Sequence, residues 1–218
     1  MLSVDGMDVS YGDFHVLHQI SFDVDDGCAV GIVGQNGHGK STLLQALCGL
    51  IPARGGKIVF KGEDITSMDA ARRVDRGLAY IAEDRRLFGD MSVLENLLLG
   101  AYLPRSRRLR AQRLERVFAL YPRLHERKHQ LARTLSGGEA QMLALGRGLM
   151  TGADCLAIDE PSLGLSPKLT QTLMNTIAEI NQSGVTIVLV EQSLSLIRHA
   201  MKSVYSLTEG HMAMESAT

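Results

Sequence analysis

Residues 34–42 read Gly34-Gln35-Asn36-Gly37-His38-Gly39-Lys40-Ser41-Thr42. Four residues separate Gly34 from Gly39-Lys40-Ser41, which is the spacing of a loop that wraps phosphate. Upstream, Ala29–Val33 is short and mostly apolar, as a buried parallel strand is. Downstream, residues 40–49 read as a helix ended by Gly49. Strand, glycine loop and helix together suit an anion. Glycines let successive N–H groups curl inward, because no Cβ blocks positive φ. The helix N-terminus adds unpaired N–H groups and a partial positive charge. In such a loop Lys40 contacts the β- and γ-phosphates, and the Ser41 hydroxyl holds Mg2+.

The composition sets bounds around this loop. A chain of 218 residues is one domain, or one with a large insertion, and is long enough for a full core. With 45% hydrophobic and 22% charged residues it has the make-up of a soluble α/β protein. A formal net charge of −1 argues against a nucleic-acid binder. Cys28, Cys48 and Cys155 lie far apart in largely apolar segments, with no C-x-x-C pair, and read as buried thiols of a reducing cytosol. Asp5 and Asp8 stand where a signal peptide needs a basic stretch and then an apolar core. No apolar run approaches the roughly 18 residues of a membrane span.

Residues 2–9 roughly alternate apolar and polar, and Leu17–Val24 does so again after a turn at Tyr11-Gly12. Both read as half-exposed antiparallel strands. Pro52–Gly56 reads as a loop, and Lys57–Phe60 and Leu78–Ala82 as strands. Residues 92–100 suit a helix with Ser92 as N-cap and Glu95 at the capping-box position. From about 104 to 128 nine Lys/Arg face two acids, Glu115 and Glu126. Leu114, Val117, Phe118 and Tyr121 fall at helical spacing there, which predicts one amphipathic helix with a basic face. That face is either simply solvated or close to anionic lipid head groups, with nucleic acid a distant third for want of interleaved aromatic residues. A helix then runs to Met150, a buried strand covers Cys155–Ile158, and Ser166-Pro167 opens a helix with the stripe Leu169, Leu173, Ile177 and Ile180. Val185–Val190 is a buried strand, Ser193 caps a short helix, and Val204–Leu207 with His211–Met214 form a hairpin about Glu209-Gly210.

Two further groups carry chemistry. Asp159 and Glu160 end an apolar strand, at the sheet edge where the phosphate loop also ends its strand. Asp159 then reaches the magnesium shell, and Glu160 sits by the γ-phosphate, placed to polarise a water. Ser136-Gly137-Gly138 is a second glycine loop at a helix N-terminus, without a lysine. It is either an ordinary Ser N-cap or a site for an anion held by N–H groups alone.

The ordered set is specific. A G-x-x-x-x-G-K-[ST] loop, then Leu135-Ser136-Gly137-Gly138-Glu139, then an apolar strand ending in Asp159-Glu160, resembles the nucleotide-binding domain of an ABC ATPase, nearly end to end. The resemblance implies an α/β P-loop NTPase core with a parallel sheet, an N-terminal antiparallel β subdomain and an inserted helical subdomain. One domain would then span 1–218, with its core at about 1–83 and 135–218 and the helical subdomain at about 84–134. It implies that Tyr11 stacks on adenine. It implies that Ser136, Gly137, Gly138 and Glu139 act in trans on the ATP of a second subunit, in a head-to-tail dimer with two ATP molecules.

Finer features narrow the resemblance. Glu83 stands where most of the family has a glutamine, as a carboxylate able to bind Mg2+ or its waters, and Gln192 stands where most have a switch histidine. With Arg85-Arg86-Leu87-Phe88 and Pro161–Pro167, these look like one of the two ATPases of the branched-chain amino-acid importers. Importers of urea or short amides share much of the pattern. Three departures stand out: His38 fills a slot usually held by a small residue, Ala82-Glu83-Asp84 replaces Pro-Glu-Gly, and the sequence stops soon after Gly210, without the last helix the resemblance leads one to expect. The implied protein is an ATP hydrolase using ATP and Mg2+, with Glu160 and Gln192 as its catalytic pair. Its partners are a second ATPase subunit, two membrane permease subunits and, indirectly, a solute-binding protein. It would lie in the cytoplasm on the inner face of the membrane. The competing reading is a non-transport ABC ATPase, which usually carries two ATPase domains, zinc modules or long coiled coils.

Overall fold

The computed structural model of the chain describes residues 1–198, 201 and 203–215, with residues 104 and 105 described by their backbone. In chain order the elements are β1 (Leu2–Tyr11), β2 (Phe14–Val24), β3 (Ala29–Val33), α1 (Lys40–Leu47), β4 (Gly55–Phe60), β5 (Glu63–Asp64) and α2 (Ala70–Arg76). They continue with β6 (Leu78–Ile81), α3 (Val93–Gly100), α4 (Pro104–Arg107), α5 (Arg110–Leu120), α6 (Pro122–Glu126) and α7 (Gly137–Met150). The remainder is β7 (Cys155–Asp159), α8 (Pro167–Gln182), β8 (Thr186–Glu191), α9 (Leu194–Ile197), β9 (Ser203–Thr208) and β10 (His211–Met214).

Among the described residues the strands form two sheets. One is antiparallel, in the order β2-β1-β4-β5. The other has the order β10-β9-β3-β8-β7-β6, parallel throughout except for the β9–β10 hairpin at its edge. Its central strands are buried on both faces, and their side chains divide by period two. Leu156, Ile158, Ile187 and Leu189 face a cluster built with α3, α5, α7 and α8. Cys155, Ala157, Val188 and Val190 face the other way, onto α1 and the antiparallel sheet. The helix that follows the phosphate loop is therefore clamped between two sheets, and its Leu43, Leu44, Ala46 and Leu47 are buried. The expected α/β core with a parallel sheet and an N-terminal antiparallel sheet is what the chain forms.

Residues 104–128 depart from expectation. They are not one helix but α4, α5 and α6 in succession. Pro104 and Pro122 take the first positions of α4 and α6, since a proline lacks the N–H a helix interior needs. The apolar stripe is nevertheless right in which residues turn inward. Val117 and Tyr121 are buried, and Leu114 and Phe118 pack against the same cluster. β5 and α2 were not anticipated. β4 begins at Gly55, inside the stretch expected as loop, and Tyr11 ends β1 opposite Phe14 rather than forming the turn. Ser92 makes the capping box with Glu95 as expected. Ser166 holds the N-cap backbone of α8 without a side-chain cap bond among the described residues, and Leu169 is partly exposed, unlike Leu173, Ile177 and Ile180.

Candidate functional site

Register brings the candidate residues together. In the parallel sheet Val33 lies opposite Glu191, and Asp159 opposite Val190. The chain therefore leaves β3, β7 and β8 at one edge, and there it places the phosphate loop, Glu160 and Gln192. Close packing explains two of the loop's glycines. A Cβ on Gly34 would stand 2.3 Å from the Leu207 carbonyl oxygen, and Gly39 takes φ of 99° directly before α1. A Cβ at Gly39 would also meet Leu17 and Val16 of β2, so the hairpin ending in Tyr11 lies against the loop.

Lys40 is 4% exposed, and its ammonium is 2.9 Å from the Gln35 carbonyl oxygen and 2.9 Å from Glu160 Oε1. Glu160 is 5% exposed and sits at φ of 39°, a left-handed conformation uncommon for a non-glycine residue. Its N–H donates to the Val190 carbonyl, which holds the turn that sends its carboxylate back toward the loop. Gln192 Nε2 lies 2.6 Å from Glu160 Oε2 and 2.8 Å from Asn36 Oδ1, so one amide ties the acid to the loop. The adjoining Glu191 is buried and accepts from Ser162 N and Oγ, fixing the segment after Glu160.

Asp159 is 1% exposed. Its Oδ1 accepts from Ser41 Oγ at 3.2 Å and its Oδ2 from the Tyr80 hydroxyl at 2.7 Å. Burial pushes its carboxyl up, and those two hydrogen bonds pull it back toward the charged form. Mg2+ takes one or two protein oxygens together with phosphate oxygens and water. The Ser41 hydroxyl and the Asp159 carboxylate, in contact beside the loop, fit that chemistry. Glu83 is exposed at the rim. Partial desolvation, then the charges of Glu160 and Asp159, push its carboxyl up.

Other expected residues are placed differently. His38 turns toward the β9–β10 hairpin, its Nδ1 3.3 Å from the Leu207 carbonyl while its own carbonyl accepts from Gly210 N. Tyr11 is 49% exposed at the end of β1. Ser136–Glu139 form a complete capping box at the start of α7, and Arg127 pairs with Glu139 at 3.0 Å. Among the described residues no hydrogen bond or ion pair joins this segment to residues 34–42. Two residues that no motif marked also shape the site. Tyr80 holds Asp159, and Arg147 of α7 donates to the carbonyls of Arg85 and Arg86, which both lie at positive φ just after Glu83. An arginine inside the otherwise apolar run Leu143–Met150 was the one available sign of the second.

A glycine loop at the carboxyl edge of a parallel sheet, with a buried lysine, an acidic pair and a polar bridge over them, defines a P-loop nucleotide-binding α/β protein. More narrowly, the chain belongs to the ABC transporter family, whose model matches residues 17–163, and it is an ATPase domain of that family. It is 39% identical to the high-affinity branched-chain amino acid transport ATP-binding protein BraG of Pseudomonas aeruginosa, over 98% of this chain and 91% of that one. It is 32% identical to the probable branched-chain amino acid transport ATP-binding protein LivF of Archaeoglobus fulgidus, over 98% and 90%. A nucleotide-free ATP-binding cassette of an ABC transporter superposes with a TM-score of 0.87 at 27% identity, covering 100% of this chain and 92% of that one. Among the described residues no helix is long and apolar enough to cross a membrane.

Proposed function

We propose that the chain is the ATP-hydrolysing subunit of an importer for branched-chain amino acids, acting on ATP with Mg2+. The observation that carries this is the junction of Lys40, Glu160, Gln192 and Asn36 beside the Ser41–Asp159 pair. Lys40 and the loop N–H groups would hold the β- and γ-phosphates, and Ser41, Asp159 and Glu83 would face the cation. Glu160, oriented by Gln192, would polarise the attacking water, and Tyr11 would stack on the adenine. The γ-phosphate competes for the ammonium that Glu160 now holds, so nucleotide would free that carboxylate for water. Ser136–Glu139, which no hydrogen bond or ion pair among the described residues ties to the loop, would serve the ATP of a second subunit, which would make association nucleotide-dependent.

The helical subdomain, at about 84–134, would face two permease subunits on the cytoplasmic side of the membrane, with a solute-binding protein acting through them. A groove of about 530 Å³ supports this, lined by Tyr80, Phe88, Leu99, Tyr102 and Arg147, with Phe88 and Tyr102 strongly exposed. Identity to BraG supports the solute. Relatives named for phosphonate import, at 30% identity, and ribose import, at 32%, make other solutes the competing reading. Uptake of labelled leucine, ribose and phosphonate in cells lacking this chain tests the choice. Loss of leucine uptake alone, restored by the intact chain, is expected; intact leucine uptake with another solute lost would contradict it.

A further inference from the structure

Among the described residues the Asp159 carboxylate has one side-chain donor on each oxygen, and they come from different elements. Ser41 of α1 reaches Oδ1, and Tyr80 of β6 reaches Oδ2 at 2.7 Å. β6 runs parallel to β7 with Tyr80 opposite Ala157, two residues before Asp159, so the phenol lies alongside the end of the strand. Gln45 lies four residues beyond Ser41 and therefore on the same face of α1. The carboxylate is thus held from two sides, by α1 through Ser41 and by β6 through the Tyr80 phenol.

A carboxylate plane turns freely about its last torsion unless something fixes it, because that torsion has a broad, two-fold profile. The Tyr80 hydrogen bond fixes it here, with Oδ1 left toward Ser41. We propose that Tyr80 is a positioning residue that sets the divalent-cation affinity of the nucleotide site by orienting Asp159. The inference rests on the reading that Asp159 faces Mg2+. A phenol hydroxyl is a donor at neutral pH, and this one is aimed at Oδ2. Groups that orient ligands in this way typically change metal affinity when removed.

Tyr80→Phe keeps the ring and deletes the donor. The measurement is binding of a fluorescent ATP analogue, first in EDTA and then titrated with Mg2+, for wild type, Tyr80→Phe and Asp159→Asn. Tyr80→Phe should raise the half-saturating Mg2+ concentration by about 10–100-fold and leave nucleotide affinity in EDTA unchanged. Asp159→Asn should raise it at least as far. An unchanged Mg2+ requirement in Tyr80→Phe, with Asp159→Asn impaired, would overturn the role of Tyr80 alone. An unchanged requirement in Asp159→Asn would overturn the placement of Asp159, and the proposal with it. Equal weakening of Tyr80→Phe with and without Mg2+ would make Tyr80 a packing residue and overturn the proposal as well.

Discussion

At the scale of single residues, the Lys40–Glu160 pair dominates. Both side chains are almost wholly buried, and each lies in direct contact with the opposite charge of the other. Removing one partner of such a pair costs roughly 3–5 kcal/mol, because the other charge is left buried and alone. Lys40→Ala should therefore fail twice. It should lose tight ATP binding in a fluorescent-nucleotide titration, since the ammonium facing the phosphates is gone, and it should melt earlier than wild type. Unchanged nucleotide affinity would remove residues 34–42 from the account. Lys40, Ser41, Asp159 and Glu160 were legible in the sequence because each belongs to a spacing that chemistry dictates. Tyr80 was not, since it lies in a strand whose pattern reports only burial, and its donor bond depends on how β6 and β7 align. Nor was the Gln192–Asn36 bridge, which spans 156 positions of chain.

At the scale of elements, close approach decides what the helical part tolerates. Gly100 ends α3 where a Cβ would stand 2.2 Å from the Arg147 backbone oxygen of α7 and 2.9 Å from the Met150 Cβ. Backbone cannot step aside as a side-chain tip can. Gly100→Ala should cost about 1–3 kcal/mol by forcing the two helices apart. A chain of this size then loses about 2–4 °C of melting temperature per kcal/mol, measurable by calorimetry. A melting temperature equal to wild type would show that α3 shifts freely. Helix existence here was legible from periodicity, but helix integrity was not. Residues 104–128 keep their apolar stripe and still divide, because Pro104 and Pro122 each open a new helix. α2 escaped notice for the opposite reason. Its seven residues hold four charged ones, three of them arginine, and its anchor is not an apolar stripe. Arg73 is buried and donates to the carbonyls of Ala46, Leu47, Thr66 and Met68, which ties α2 to the C-terminal end of α1. Backbone carbonyls leave no trace in a sequence.

At the scale of the whole molecule, the two sheets gather the candidate residues at one edge. The loop, the acidic pair and Gln192 meet at one sheet edge, while Ser136–Glu139 point elsewhere, bonded to Arg127 and to each other. The order of motifs along the chain made this arrangement legible before any coordinates. What it could not convey is that Lys40 and Glu160 already hold each other at 2.9 Å. The central claim is that Glu160 performs the hydrolytic step on an ATP shared between two subunits. The most direct test is Glu160→Gln, with ATP turnover and light scattering measured on the same sample in Mg2+. The account predicts turnover reduced by about 10²–10⁴, the usual worth of a positioned acid or base, with ATP binding retained. It also predicts that ATP converts the 23.7 kDa monomer into a lasting dimer. Turnover equal to wild type would contradict it.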